Sequence, residues 1–519
     1  MRTYRLLFVV VITGLLLVMP FLSSHAKETT LVIAWPWSVR SLDPAIATSG
    51  TERQQILLAN ERLLMYDRSG NLKPFLAERW EVSDDLKTYT FHLRKGIKFT
   101  DGAPFNSEAV KFSFERTMKI GAGPSKVFKT VDGIETPDDH TLVIRLKRTD
   151  GFFIPISIAT TYGNQIVSPK TVKDHATPED PLAQKWMGSH LVGTGPYKLV
   201  DYQPGVHSVF EKNPDYWRGW KGKHVDRVVI KPVREYTTRK MMLLKGDADI
   251  MAAVATMDVE TLEKTPGIHI KKVETNKTNY YFLNHKFKPF QDSRVRKAFA
   301  LTYDYRAAHA IYQGLLKPIK GPFPDTFIGH DPSLPEMNRD VEKAKKLLAE
   351  AGYKPGELEI RFMFSIGDDE YRRMAELFQA NLAEIGVKVS LVPRAWVQLK
   401  AEAFDVNRRP EVIYYRTWPD VSDPLDILEK HFVTGAILDC TSYSNPKIDE
   451  IALQLRSTMD QKKRAELSRE ARWILYKDIP AIFLWSTTDV DGVRDRVKGY
   501  KPYENYNGYY DVYEMYIEE

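Results

Sequence analysis

The spacing of apolar residues changes once along this chain, and that change constrains the fold more than any single motif. From Trp80 to Asp101 the pattern alternates: Tyr89, Phe91 and Leu93 are interleaved with Thr90, His92 and Arg94. After a turn at Lys95-Gly96, Ile97 and Phe99 resume the alternation before Asp101-Gly102. A period of two with one polar face predicts a half-buried antiparallel hairpin. Residues 131–136 and 141–146 form a second candidate hairpin, joined at Pro137-Asp138-Asp139. Between the two, Asn106 or Ser107 caps a helix whose Val110, Phe114 and Met118 recur at helical spacing. In the later part the period lengthens. Asp340 caps a helix through Ala344, Leu347 and Leu348 that stops at Gly352, and Leu358, Ile360, Phe362 and Phe364 then alternate as a strand. Asp368, Asp369 and Glu370 load the amino end of a helix bearing Met374, Leu377, Phe378, Leu382 and Ile385 up to Gly386. Residues 387–391 return as a strand, completing a βαβ unit, and residues 411–415 add one more. The chain therefore joins an antiparallel-rich segment to an α/β segment.

That last strand runs into Arg416-Thr417-Trp418-Pro419-Asp420-Val421-Ser422-Asp423-Pro424. A carboxylate and an indole thus stand just past the carboxyl end of a strand, where α/β folds bind their ligands. An Asp beside an aromatic wall suits a small cationic group such as an amine, because an ammonium removed from water needs a fixed counter-charge. The plainer alternatives are a turn cap for Asp420, since Pro-Asp is a common turn pair, and a core position for Trp418. Asp423, before Pro424, reads as structural. Ser49-Gly50-Thr51 could offer hydroxyls to a ligand and reads slightly better as a helix cap before Gln54.

The amino terminus predicts export. Arg2 and Arg5 precede an apolar run from Leu6 to Met19, Pro20 breaks it, and Ser24-His25-Ala26 fits a cleavage site before Lys27. Losing the two arginines would lower the formal net charge from +6 to +4. The single Cys440 cannot form an internal disulfide, so stability must come from core packing, which a chain of 519 residues can supply. Lys/Arg and Asp/Glu are interspersed, a solvated surface and not a nucleic-acid footprint. Ten Trp and 26 Tyr suit ligand-lined clefts as well as cores. No Ser/Gly linker divides the chain, so lobes would be joined by strands passing between them. Catalytic signals are weak: Gly193-Thr194-Gly195-Pro196 lacks the spacing of a dinucleotide loop, and Ser444-Asn445-Pro446-Lys447 matches Ser-x-x-Lys by letter only. The 12 His are scattered without metal-ligand spacing, so neither metal nor cofactor is expected.

Three long motifs occur in series: Trp80-Glu81-Val82-Ser83-Asp84-Asp85-Leu86-Lys87-Thr88-Tyr89-Thr90-Phe91, continuing to Gly102; Gly193-Thr194-Gly195-Pro196-Tyr197 with Asn213-Pro214-Asp215-Tyr216-Trp217; and Asp292-Ser293-Arg294-Val295-Arg296-Lys297-Ala298. With them the chain resembles the dipeptide- and oligopeptide-binding family of ABC-importer solute-binding proteins. The resemblance implies an α/β, periplasmic-binding-protein-like fold, with two α/β lobes around a hinge cleft plus an inserted antiparallel-rich α+β lobe. Lobe I would comprise 27–60, 190–275 and 485–519, lobe II 61–189 and lobe III 276–484, behind a signal peptide at 1–26. It implies a periplasmic, monomeric protein that catalyses nothing and binds no nucleic acid. It would trap a peptide or other small amine-bearing solute and deliver it to an inner-membrane ABC permease with its ATPase subunits. Asp420 matches the Asp that receives a peptide's amino terminus in relatives, and peptide main chain would be held as an added strand. The candidate ligand contacts are Asp420, Trp418, Thr417, Tyr281, Asn284 and Ser365. Two departures stand out. Trp418 lies two residues before Asp420 where relatives place the aromatic three before, and Ser365 stands where dipeptide-specific relatives carry an Arg for the ligand carboxylate. Alternatives are a sugar, opine or metal-chelate ligand in the same fold, a secreted peptide hydrolase, or a holdase for unfolded chains.

Overall fold

The computed structural model describes residues 28–367, 369–503, 506 and 509–518. The expected signal segment 1–26 and Asp368 lie outside the described residues. Strand β1 (Thr30–Trp35) and helix α1 (Gly50–Ala59) come first, followed by a small ribbon of β2 (Leu64–Tyr66) and β3 (Leu72–Pro74). Next is a four-stranded antiparallel sheet made of β4 (Ala77–Val82), β5 (Thr88–Leu93), β6 (Val131–Asp138) and β7 (Thr141–Leu146), in the order β4-β5-β7-β6. Its pattern is the alternation expected: Tyr89, Phe91 and Leu93 are buried while Thr88, Thr90 and His92 are half-exposed. Across this sheet lies the helix Ser107–Ile120, capped by the Asn106 side chain, which buries Val110 and Phe114 against Phe128 and Ile144.

The remaining strands build one large sheet. They are β8 (Tyr197–Gln203), β9 (His207–Lys212), β10 (Arg227–Pro232), β11 (Ile250–Met251), β12 (Ile268–Leu283), β13 (Leu316–Pro318), β14 (Glu359–Ser365), β15 (Lys388–Arg394), β16 (Val412–Thr417) and β17 (Ala481–Arg494). With β1 they form eleven strands, ordered β15-β14-β16-β12-β17-β11-β1-β10-β9-β8, with β13 paired to β17 off that path. β14 runs parallel to both β15 and β16, the pattern a βαβ unit produces.

Two strands hold the sheet together. β12 and β17 are 16 and 14 residues long and pair antiparallel over most of that length. Residues Ile268 to Glu274 pair with Thr488 to Arg494, and Thr278 to Phe282 pair with Ala481 to Ser486, with register shifts between Glu274/Thr278 and Asn279/Tyr280. The shifts fall where the β12–β17 pair passes from the side of β11 to the side of β16, and they divide the sheet into two wings. The first wing (β1 and β8–β11) packs around Leu31, Ile33, Phe210, Val228 and Ile230. The second (β14–β16) is covered on one face by the helix Asp369–Ala383 through Met374 and Phe378 and on the other by Leu399, Leu428, Phe432 and Leu475. Phe152, from the chain segment that follows β7, is buried in this second core with the guanidinium groups of Arg456 and Arg464 each 5.7 Å from its ring. The four-stranded sheet is thereby fastened to the second wing and not only to the first. Among the described residues no helix is long and apolar enough to cross a membrane.

Candidate functional site

β16 ends in a loop whose conformation its own side chains impose. Asp423 accepts from the backbone N–H of Leu425 at 2.9 Å and caps the short helix Pro424–Ile427, with Pro424 in the first turn, where a missing N–H costs nothing. It also pairs with Arg464 at 2.6 Å, which makes it structural. The helix continues into a wider turn, Leu428–Phe432, so Asp426 and Lys430, four residues apart, share one face. The Asp426 carboxylate accepts the backbone N–H of Asp420 at 2.7 Å and the Lys430 ammonium at 2.8 Å. Lys430 also donates to the Trp418 carbonyl at 2.9 Å and lies 2.9 Å from Asp420 Oδ2. The loop is thus wound around one buried lysine.

Opposite Asp420 stand residues from other parts of the chain. Arg53, on α1, brings its guanidinium to 3.7 Å from Asp420 Oδ1 and 5.8 Å from the Tyr162 ring. Thr160 donates to the Asp420 carbonyl at 3.5 Å. Gly163, at φ +76°, lets the chain turn next to Tyr162; a Cβ there would sit 2.6 Å from Pro124 Cβ. A further contact between the wings joins Thr256 to Glu370 at 2.5 Å. Exposed indoles occur on both wings. Trp37 packs edge-on to Trp35, whose N–H donates to Thr51 at 2.9 Å, and Trp418, 37% exposed, packs edge-on to Trp396 at 5.7 Å.

The electrostatics follow from burial and neighbours. Burial opposes ionisation of Asp420, but Lys430 and Arg53 outweigh it and hold the carboxyl below its usual range. Asp426, more deeply buried and facing the Asp420 charge, is pushed up to about 6 despite Lys430. Burial, with Asp420 nearby, raises the Tyr162 phenol to about 12. Burial lowers His431 to about 3, so it is neutral, with its ring nitrogens at 2.6 Å from the Thr417 hydroxyl and 3.1 Å from the Leu438 carbonyl.

Several sequence candidates are elsewhere. Thr417 is buried with its hydroxyl on His431, so its side chain supports the loop from inside. Tyr281 is wholly inside the second wing, its phenol donating to the Met374 carbonyl at 3.1 Å. Asn284 is buried and donates to the Pro410 carbonyl at 3.3 Å while accepting the Lys286 N–H at 3.0 Å. Both belong to packing: β12 is covered on both faces around Tyr281, and Asn284, just past its end, is tied to the segment before β16. Ser365 ends β14 with its hydroxyl on the adjacent Ile366 carbonyl at 3.2 Å, and the arginine opposite it on β15, Arg394, is paired with Glu402 at 2.8 Å. Ser49 is a helix cap: its side chain accepts from the Glu52 N–H while Glu52 accepts the Ser49 N–H. Asp420 and Trp418 alone of the six candidates present side chains at the loop surface with no such internal duty beyond the lysine cluster.

Arg53, Tyr162, Asp426 and Lys430 were not among the sequence candidates. Asp426 and Lys430 carried a signal, opposite charges four apart after a helix cap. Arg53 and Tyr162 carried none, because only the tertiary fold brings them to Asp420.

Two α/β wings hinged on a pair of shared strands, with an aromatic and charged cluster at the strand ends between them, define a solute-binding fold. Residues 71–437 match the family described as bacterial extracellular solute-binding proteins, family 5 Middle, and the chain belongs to the family 5 bacterial extracellular solute-binding proteins. Its sequence is 28% identical to the probable D,D-dipeptide-binding periplasmic protein DdpA of Escherichia coli K12, over 94% of each chain. It is also 28% identical to Heme-binding protein A of Haemophilus influenzae, over 94% of this chain and 93% of that one. Among solved structures it is similar to HbpA2 from Haemophilus parasuis, with a TM-score of 0.82, 26% identity and coverage of 94% and 100%. The periplasmic binding protein DppA from Helicobacter pylori in complex with the peptide STSA gives a TM-score of 0.79, 26% identity and coverage of 95% and 98%.

Proposed function

We propose that this protein is the periplasmic solute-binding component of an ABC importer and captures short peptides between its wings by hinge closure, the ligand's amino group resting on Asp420. The observation that carries this reading is the state of that carboxylate. Lys430 stands 2.9 Å from Oδ2, whereas Arg53 comes no closer to Oδ1 than 3.7 Å, beyond hydrogen-bond distance. A carboxylate offers about four lone-pair sites, so an ammonium can still be accepted at Oδ1. Trp418, exposed beside it, supplies the apolar wall. The names of the relatives, several of them dipeptide- or di/tripeptide-binding proteins, support a peptide ligand.

Further parts of the proposal rest on the same reading. Residues 1–26 direct export and are removed, the partner is an inner-membrane permease with its ATPase subunits, and the protein acts as a monomer without turning its ligand over. The lobes are 27–60, 190–275 and 485–519; 61–189; and 276–484. The register shift between Glu274 and Thr278 supports the crossing near residue 275.

The test is ligand-dependent stabilisation. Protein stripped of ligand by unfolding and refolding should gain melting temperature with a pool of short peptides, since whatever binds only the folded state stabilises it. Native mass spectrometry should find a peptide on protein purified without stripping. No shift with any peptide pool, or a co-purified sugar, opine or metal chelate, would remove the peptide reading.

A further inference from the structure

Arg53 is an under-used cation in a place where cations are expensive. Its side chain is only 17% exposed, yet among the described residues its guanidinium donates no hydrogen bond; its contacts are Asp420 Oδ1 at 3.7 Å and the Tyr162 ring at 5.8 Å. A guanidinium has five donors in a rigid fork matched to a carboxylate, and those of Arg53 are left open to the cleft for a ligand's carboxylate to take. Other arginines that fasten the lobes are fully engaged. Arg116 takes both oxygens of Asp43 at 2.8 and 2.6 Å, Arg464 takes Asp423 at 2.6 Å, and Arg456 takes Asp150 at 2.8 Å and Glu429. Asp420 does not engage Arg53 in the same way: Lys430, anchored by Asp426 and the Trp418 carbonyl, draws its carboxylate towards itself and leaves Arg53 at 3.7 Å from Oδ1. The amino end of α1 is not what an anion would meet, since Glu52 already accepts the N–H groups of Thr48 and Ser49. What α1 offers the cleft is the Arg53 side chain.

We propose that Arg53 receives a carboxylate of the ligand beside the ammonium held by Asp420. The inference rests on the amine-anchor reading above and deepens it by naming a substrate class. Arg53 and Asp420 are 3.7 Å apart, close to one residue's rise of extended chain, so a ligand whose carboxylate stands next to its ammonium can engage both at once. A ligand meets the requirement when its first residue carries an acid next to its amino group, either as an Asp side chain or as the free α-carboxylate of a residue linked through its side chain. This arrangement replaces the carboxylate anchor that Ser365 does not supply.

The experiment measures dissociation constants by calorimetry for tri-alanine, aspartyl-alanyl-alanine and γ-glutamyl-alanyl-alanine on wild-type, Arg53→Gln and Arg53→Lys proteins, each checked for an unchanged fold by its ligand-free melting curve. At least one acid-bearing peptide should bind wild type tenfold or more tightly than tri-alanine, and which of the two does so identifies the source of the carboxylate. Arg53→Gln should bring the ratio to within twofold of one, and Arg53→Lys should keep part of it. A wild-type ratio near one, or a ratio that survives in Arg53→Gln, overturns the proposal while leaving tri-alanine binding to Asp420 intact. If none of the three peptides binds, the peptide reading itself fails and this inference with it.

Discussion

Lys430 stands 2.9 Å from the carboxylate of Asp420 and 2.8 Å from that of Asp426. The chain thus supplies its own cation to the residue expected to meet a ligand's amine. That cation fixes the geometry: with the Trp418 carbonyl and the Asp420 backbone also tied to the same pair, the loop reaches the cleft already shaped. On the proposed reading, a ligand ammonium would meet a carboxylate that is already ordered, and less ordering would be needed on binding.

Lys430→Met should therefore destabilise the protein more than an ordinary surface substitution. It leaves Asp420 and Asp426 facing each other in a part-buried site, and removing one partner of a buried ion pair costs about 3–5 kcal/mol. Urea unfolding of the ligand-free protein would measure the loss. A change within about 0.5 kcal/mol, typical of exposed sites, would show that the cluster does not hold the loop.

The buried histidine behind the loop should give the protein an acid sensitivity. Burial depresses His431 from its ordinary 6.5 to about 3, so the unfolded chain takes up a proton in this interval and the folded chain does not. The stabilisation is complete above pH 6.5 and is lost as pH falls towards 3. The stability advantage of wild type over His431→Gln should accordingly shrink by about 2 kcal/mol between pH 7.5 and pH 5.0, at 1.36 kcal/mol for each unit below 6.5. Parallel stability curves for the two proteins would place a charged imidazole in the folded state.

Phe152 should couple the four-stranded sheet to the second wing. The residue is 1% exposed in a core to which β12, β14, β16, β17 and the helices of that wing contribute. Phe152→Ala should cost about 3–5 kcal/mol, and hydrogen exchange should speed up around Arg456 and Arg464, whose guanidinium groups lie against the ring. Exchange confined to residues near 152 would mean that the contact is only local.

The secondary structure was largely legible because each segment carries its own period. The alternation of Tyr89, Phe91 and Leu93 appears as a buried face of β5, and Met374, Phe378 and Leu382 form the buried stripe of the helix Asp369–Ala383. The site was less legible. Tyr281 lies on, and Asn284 just past the end of, a strand whose alternation suggests one exposed face, yet the second wing buries β12 on both faces there, so pattern alone could not separate cleft from core. Asp420 followed from its place after a strand, but its partners did not. Lys430 reaches it across a helical turn whose start Asp423 announces, whereas Arg53 reaches it from some 370 residues away, a pairing that only the folded sheet creates.

The most direct test of the account is a cycle of two changes: tri-alanine against N-acetyl-tri-alanine, and wild type against Asp420→Asn, with dissociation constants measured by calorimetry. If Asp420 anchors the amine, acetylation should weaken binding to wild type by about 2–5 kcal/mol, the range for breaking a buried charge pair, and should make little difference to Asp420→Asn. An acetylated ligand that binds wild type as tightly as the free amine, or an Asp420→Asn protein that loses the same affinity for both ligands, would contradict it.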